Sequence, residues 1–259
     1  MTTPAMDSEH TRGSAPARAS TLAYGVVAYV LFLGVFVYLI GFVGNWIVPR
    51  TIDAGGPTSS RGTAVVLNVL LLALFAIQHT VMARPAFKRW WTRFVPLHVE
   101  RSTYVLLTSL LLALMAWQWR SMPAVIWKVD MAALAGLLVA ISLAGWGIVL
   151  ISTFLIDHFE LFGLRQTVMY ALGRPYEPPV FRERAFYRWV RHPLMLGFLI
   201  AFWSTPVMTS GHLLFAVVIT AYVLIALQIE ERTLIHLHGK TYEDYRRRVP
   251  MLLPFKRRS

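Results

Sequence analysis

The chain has 259 residues and a formal net charge of +12; 56% of it is hydrophobic and only 15% charged, where an ordinary soluble domain carries about a quarter charged residues. The deficit is concentrated in long windows without Lys, Arg, Asp or Glu, which excludes a soluble globule and marks a membrane domain. With no cysteine present, disulfides, thiolate-held zinc, iron–sulfur clusters and catalysis through a protein thiolate are excluded.

In chain order, Met1–Ser20 is polar and rich in Ala, Ser and Thr, and is expected to be a disordered tail. It lacks the short apolar core and cleavage site of a signal peptide, so the span that follows should stay as an anchor. Apolar segments run from Thr21 to about Trp46, from Gly62 to Met82 with Gln78 and His79 near its end, over Tyr104–Trp119, and over Met131–Ile156. Each suits a helix crossing a core of about 30 Å at about 1.5 Å per residue. The segment Asp157–His192 reads as a long polar loop, broken by Gly173, Pro175, Pro178 and Pro179. Pro193 to Ile229 then carries no charge and is too long for one crossing. Thr205-Pro206 and Thr209-Ser210-Gly211 divide it into a helical hairpin with a short first arm. Thr241–Val249 reads as an amphipathic interfacial helix with Tyr242 and Tyr245 on one side.

The expected fold is all-α: a polytopic integral membrane protein with five to six transmembrane helices, a C-terminal helical hairpin and a cytoplasmic amphipathic tail. Residues 1–20 form the tail, 21–156 hold transmembrane helices 1–4, and 157–259 supply the loop, hairpin and tail. With the N-terminus inside, 21 of the 25 Lys and Arg fall in inside segments, leaving Arg50, Arg61, Arg120 and Lys128 outside and none in a span. By the positive-inside rule both termini are cytoplasmic. Anionic lipid headgroups, not nucleic acid, are the expected counter-charge.

The polar residues of interest gather at the inner ends of these spans. Arg191-His192-Pro193 opens the hairpin and Glu230-Glu231-Arg232 closes it, so antiparallel arms set guanidinium and imidazole beside two carboxylates. One reading is an interfacial salt bridge at a helix end. The other is a ligand site, with cationic donors for a carboxylate, carboxylates for an ammonium group or ribose hydroxyls, and N–H groups at a helix start. A nucleoside with an amino-acid tail, such as S-adenosylmethionine, would use all of these. His79 and His158 fall at the inner ends of the second and fourth spans. Each either bonds a neighbouring helix or assists deprotonation of a substrate. Gly145-Trp146-Gly147, inside a span, reads as helix packing. His236 and His238 are two apart, the wrong spacing for one helical face; His98 and His212 read as loop residues, and no metal site is expected.

Arg191-His192-Pro193-Leu194-Met195-Leu196-Gly197 resembles the RHPxYxG signature of membrane methyltransferases related to isoprenylcysteine carboxyl methyltransferase and phospholipid methyltransferase. Glu230-Glu231, Gly239, Tyr242, Tyr245 and Val249-Pro250 are similar to that family's second half. Met195 stands where the family has tyrosine, so no hydroxyl contact is carried over there. Asp157-His158-Phe159-Glu160-Leu161-Phe162-Gly163-Leu164-Arg165-Gln166, with Gln78-His79 and Glu100-Arg101-Ser102-Thr103-Tyr104, resembles the bacterial methanethiol S-methyltransferases and, more distantly, denitrification-associated membrane proteins. The resemblance implies S-adenosylmethionine as methyl donor, methanethiol as the small thiol substrate, and a site in the bacterial inner membrane. It implies cofactor contacts from Gln166, Arg191, His192, Pro193, Leu194, Gly197, Glu230, Glu231, Tyr242 and Tyr245. A thiol substrate needs help to deprotonate, so His79 or His158 is the candidate base, Arg165 and Arg191 are candidates to lower the thiol pKa, and Asp157 or Glu160 is a candidate to orient a histidine. It leaves the oligomeric state open. The alternatives are methylation of a phospholipid amine or prenyl-cysteine carboxylate, and a haem-binding protein with His79 and His158 as axial ligands.

Overall fold

The computed structural model describes residues 13–177 and 185–253. Most of the expected tail, the loop positions Pro178, Pro179, Arg182 and Arg184, and Lys256, Arg257 and Arg258 lie outside the described residues. Five helices are long and apolar enough to cross a membrane: α1 (Ala15–Gly44), α2 (Arg61–Met82), α4 (Leu97–Gln118), α5 (Ala132–Ile156) and α9 (Ser210–His238). Their surfaces stay apolar where the protein does not cover them, as at Val27, Val37, Leu137, Leu150 and Ile225. A helix that is hydrophobic all round has lipid for a partner. The protein is an all-α polytopic membrane protein.

The residues fall into two compact units. The first comprises 13–38, 74–114 and 157–177. It contains the start of α1, the end of α2, the short α3 (Pro85–Trp91), most of α4, and two further helices, α6 (His158–Leu161) and α7 (Leu164–Ala171). Three boundaries differ from the sequence-based expectation. Helix α1 begins at Ala15, ahead of Thr21. Alanines 15, 17 and 19 are strong helix formers, Pro16 suits a first turn, and Ser14 Oγ accepts the Ala17 N–H at 3.5 Å. Helix α4 begins at Leu97, so Arg101, like Arg18 in α1, Arg61 in α2 and Arg232 in α9, lies within a membrane-length helix, contrary to expectation. The added turns are polar but bonded: Glu100 to Lys88 at 3.5 Å, Arg101 Nε to the Leu161 carbonyl at 2.8 Å, and Ser102 Oγ to the Gly163 carbonyl at 3.1 Å. The segment after Ile156 is helical where a loop was expected. Asp157 caps α6 by accepting the Glu160 N–H at 3.2 Å. Gly163 then turns the chain at φ +84°, where a Cβ would lie 2.5 Å from the Ser102 nitrogen, so only glycine fits.

The second unit comprises 39–73, 115–156 and 185–253. Here α8 (Pro193–Trp203) packs along α5, backbone to backbone: a Cβ on Gly145 would meet the Gly197 carbonyl at 2.7 Å, and one on Gly197 would meet the Gly145 carbonyl at 2.7 Å. At 11 residues, α8 spans about 16 Å, roughly half the apolar core. Pro206 ends it, and the chain continues extended into β2 (Val207–Thr209), which pairs antiparallel with β1 (Val125–Lys128) from the α4–α5 connection. This two-stranded ribbon was not expected. Its cause is the need to pair backbone groups at the hairpin turn. Val129 N donates to the Pro206 carbonyl at 2.9 Å, Ser210 N to Ala124 at 2.7 Å and Gly211 N to Met122 at 3.0 Å. The hairpin turn therefore lies at the end of the unit where α4 joins α5. Around it, buried Asn68 exchanges two bonds of 2.9 Å with the backbone of Arg120, and Trp119 Nε1 donates to the Ile52 carbonyl at 3.0 Å. Thr209 caps α9. His212 lies in α9, and not in a loop, with Nε2 2.8 Å from the Phe202 carbonyl; His98 likewise sits in α4.

Candidate active site

The polar hairpin base belongs to the second unit. His192 precedes Pro193 at the first position of α8, where a missing N–H costs nothing. Arg191 and His192 are held by main-chain bonds from their N–H groups to the carbonyls of Pro250 at 2.9 Å and Met251 at 3.1 Å. Arg191 Nε donates to Glu231 Oε1 at 2.6 Å, and Nη1 donates to the carbonyls of Arg246, at 3.0 Å, and Val249. His192 Nε2 lies 3.2 Å from the same Glu231 oxygen, and Arg246 Nε lies 3.4 Å from the other. Arg191, His192 and Glu231 are buried. The Arg191-His192-Pro193 run is thus a clasp. It joins the start of α8, the end of α9 and the strand-like segment after α10 (Lys240–Arg248).

Tyr242 and Tyr245 occupy the buried side of α10, with ring centroids 5.7 Å apart. The Tyr245 hydroxyl donates to the Tyr187 carbonyl at 2.6 Å, in the 3-10 turn Ala185–Arg188. Burial, followed by the Glu231 charge, pushes the Tyr242 phenol up to about 12. Burial and then the charge of Glu230 raise that of Tyr187. The two glutamates of the pair differ. Glu231 is enclosed and paired, while Glu230 is half-buried and makes no ion pair among the described residues. Pro193 is buried, Leu194 half-buried, and Gly197 faces α5.

The other expected residues lie in the first unit. Tyr104 Oη is 2.9 Å from Nδ1 and 3.1 Å from Nε2 of His79, and the Arg101 guanidinium stands 5.1 Å over the Tyr104 ring. His158 Nε2 is 2.7 Å from the Tyr29 hydroxyl. Phe162 stacks on Phe32 at 3.8 Å and meets the His158 ring edge-on at 4.9 Å. Burial lowers the His158 pKa, partly opposed by Asp157, and so favours the neutral imidazole. Both histidines are therefore engaged by a tyrosine hydroxyl inside an aromatic lining.

Arg165 pairs with Asp157 at 2.7 Å, and the capping carboxylate offsets much of its charge. Buried Gln166 donates through Nε2 to Glu160 Oε1 at 2.8 Å, and the Tyr176 hydroxyl donates to the same oxygen. Tyr29 and Tyr176 escape a reading of the sequence. Tyr29 sits in an uninterrupted apolar span with no periodic signal of its own. Its partner His158 is 129 positions away. Tyr176 had only its place beside Pro175.

Membrane-length helices that end in buried, charged and aromatic clusters define a polytopic membrane protein with polar chemistry at the helix ends. The chain is 56% identical over 238 residues to methanethiol S-methyltransferase 2 of Bradyrhizobium diazoefficiens, covering 92% of this chain and 91% of that one. It is 56% identical over 241 residues to the methanethiol S-methyltransferase of Mycobacterium tuberculosis, covering 93% and 98%. It therefore belongs to the methanethiol S-methyltransferase family and is an enzyme. Nurim of Rattus norvegicus is a more distant relative, 27% identical over 207 residues, covering 73% of this chain and 79% of that one. No family model and no solved structure matches the chain.

Proposed function

We propose that this protein transfers a methyl group from S-adenosylmethionine to methanethiol, giving dimethyl sulfide and S-adenosylhomocysteine. The observation that carries this reading is the near full-length relationship to methanethiol S-methyltransferases. The methyl donor supplies an already activated sulfonium methyl, so the protein has to bind, align and exclude water.

The hairpin base fits such a donor in its chemistry. Arg191 and Glu231 neutralise each other and, with His192, Pro193 and Gly197, frame the base. Glu230, without an ion pair among the described residues, is the carboxylate left to meet the ammonium group or the ribose hydroxyls. Leu194, Tyr242 and Tyr245 supply apolar and aromatic surface. The thiol needs help of another kind. Its nucleophilic form is the thiolate, and a thiol of cysteine-like pKa, about 8.5, is mostly protonated at neutral pH. His79, His158 and Arg165, with the acidic residues around them, are the groups of the first unit available for this step. Burial favours the neutral form of His158, and the Tyr29 hydroxyl orients it.

The enzyme sits in the inner membrane of a bacterial cell with both termini cytoplasmic, on the side where the methyl donor is made. Loop charge supports this orientation. Purified protein supplied with methanethiol and S-adenosylmethionine should release dimethyl sulfide into the headspace. Methyl-donor binding without dimethyl sulfide would overturn the substrate assignment and spare the donor.

A further inference from the structure

Glu160 holds one carboxylate oxygen fully engaged and the other open. Oε1 accepts from the Tyr176 hydroxyl and from Gln166 Nε2 at 2.8 Å. Oε2 is buried and has no hydrogen-bond partner among the described residues. Next to it Gln166, only 8% exposed, also keeps its Oε1 without a partner. Turning the amide over does not remove the anomaly, because its oxygen would then face Glu160 Oε1 and the bond would be lost. Unpaired buried acceptors are rare in folded proteins. Two of them on side chains bonded to each other call for a ligand that brings a hydrogen.

Methylation of a thiol liberates one proton, and this step rests on the thiol-methylating function proposed above. We infer that Glu160 is the residue that accepts the thiol proton, with Tyr176 and Gln166 as positioning residues that hold Oε1 and leave Oε2 open. The S–H electron pair stays on sulfur as the proton passes to Oε2. The thiolate sulfur then forms the new S–C bond while the sulfonium C–S bond breaks, its electron pair remaining on the departing thioether. Anion and cation become two neutral thioethers, and the carboxylic acid returns its proton to water.

The neighbouring candidates are less open. His158 Nε2 and the His79 ring nitrogens face tyrosine hydroxyls, and Asp157 is tied to Arg165. Charges reach Glu160 from every side of its surroundings. Arg165 of α7, Arg101 of α4 and the Tyr176 bond favour its anion, and Asp157 on its own turn opposes it. Lys88 of α3 also lies within electrostatic reach. Burial outweighs these cations and the Tyr176 bond and holds the carboxyl above the usual carboxylate range, which makes it a better base for a thiol.

The test compares Glu160→Gln with the parent enzyme for S-adenosylhomocysteine affinity and for turnover against pH, using methanethiol and the more acidic trifluoroethanethiol. The expected result is a loss of about 100-fold or more with methanethiol. Product affinity should be unchanged, the acid limb of the pH–rate profile should flatten, and the loss with trifluoroethanethiol should be several-fold smaller. Equal losses with both thiols, or an unchanged acid limb, would overturn the assignment. Tyr176→Phe guards against a misfolded Gln variant. It removes a bond that favours the anion, so its acid limb should move to higher pH, and a limb that stays in place overturns the proposal. If the parent enzyme makes no methylated thiol at all, it is the underlying reaction that fails.

Discussion

At Arg191 and Glu231 a guanidinium and a carboxylate are both withdrawn from water, and each is the other's main compensation. Removing one member of such a pair strands the other. Arg191→Ala is expected to destabilise the protein by about 3–5 kcal/mol and to abolish methyl-donor binding along with it. Glu230→Ala should behave differently, because Glu230 has no ion pair among the described residues. It should lose donor binding with little change in the thermal midpoint, and a melt and a binding titration on the same samples separate the two outcomes. His158 adds a pH dependence. Its folded pKa lies below its unfolded value of about 6.5, so the unfolded chain takes up the proton first. The associated stability is complete above about pH 6.5 and is lost as pH falls toward the folded pKa. Melting points measured between pH 7.5 and 5.5 should fall more steeply for the parent protein than for His158→Gln.

At the scale of elements, two glycines set how closely pieces approach. Gly197 and Gly145 let α8 lie against α5 with no side chain between their backbones, the small-residue contact that apolar helices use in lipid. Gly197→Leu should force α8 outward and lower both thermal stability and turnover, whereas Gly147→Leu, where a Cβ meets nothing within 4 Å, should be tolerated. Gly163 joins α6 to α7 at positive φ against Ser102. Gly163→Ala is expected to cost about 1–3 kcal/mol and to disturb Glu160 and Gln166 on either side, visible as a lower melting point with reduced turnover.

For the whole molecule, orientation is the property that charge alone predicts. The chain has no native cysteine, so single cysteines introduced at Arg247 and at Thr58 can be labelled without background. A membrane-impermeant reagent applied to intact cells should modify the Thr58→Cys position and spare Arg247→Cys. The reverse pattern would contradict the positive-inside assignment.

Hydropathy and charge by themselves determined the apolar spans as five or six crossings, the punctuated hairpin and the buried tyrosine side of α10, because these depend on local composition and on a period of 3.6 residues. The signature Arg191-His192-Pro193 and the Glu230-Glu231 pair were equally legible as a polar cluster at the hairpin base. Tertiary structure decided which glutamate is enclosed, since adjacent residues on a helix point about 100° apart and only the position of Arg191 selects Glu231. It also decided the helical form of the segment after Ile156, where capping by Asp157 and the fit of Gly163 to Ser102 outweigh a polar composition. The partners of the histidines and of Glu160 belong to the same class. A tyrosine in an apolar span or a loop carries no signal of its own, and a hydrogen bond such as Tyr29 to His158 exists only once distant parts of the chain are packed together.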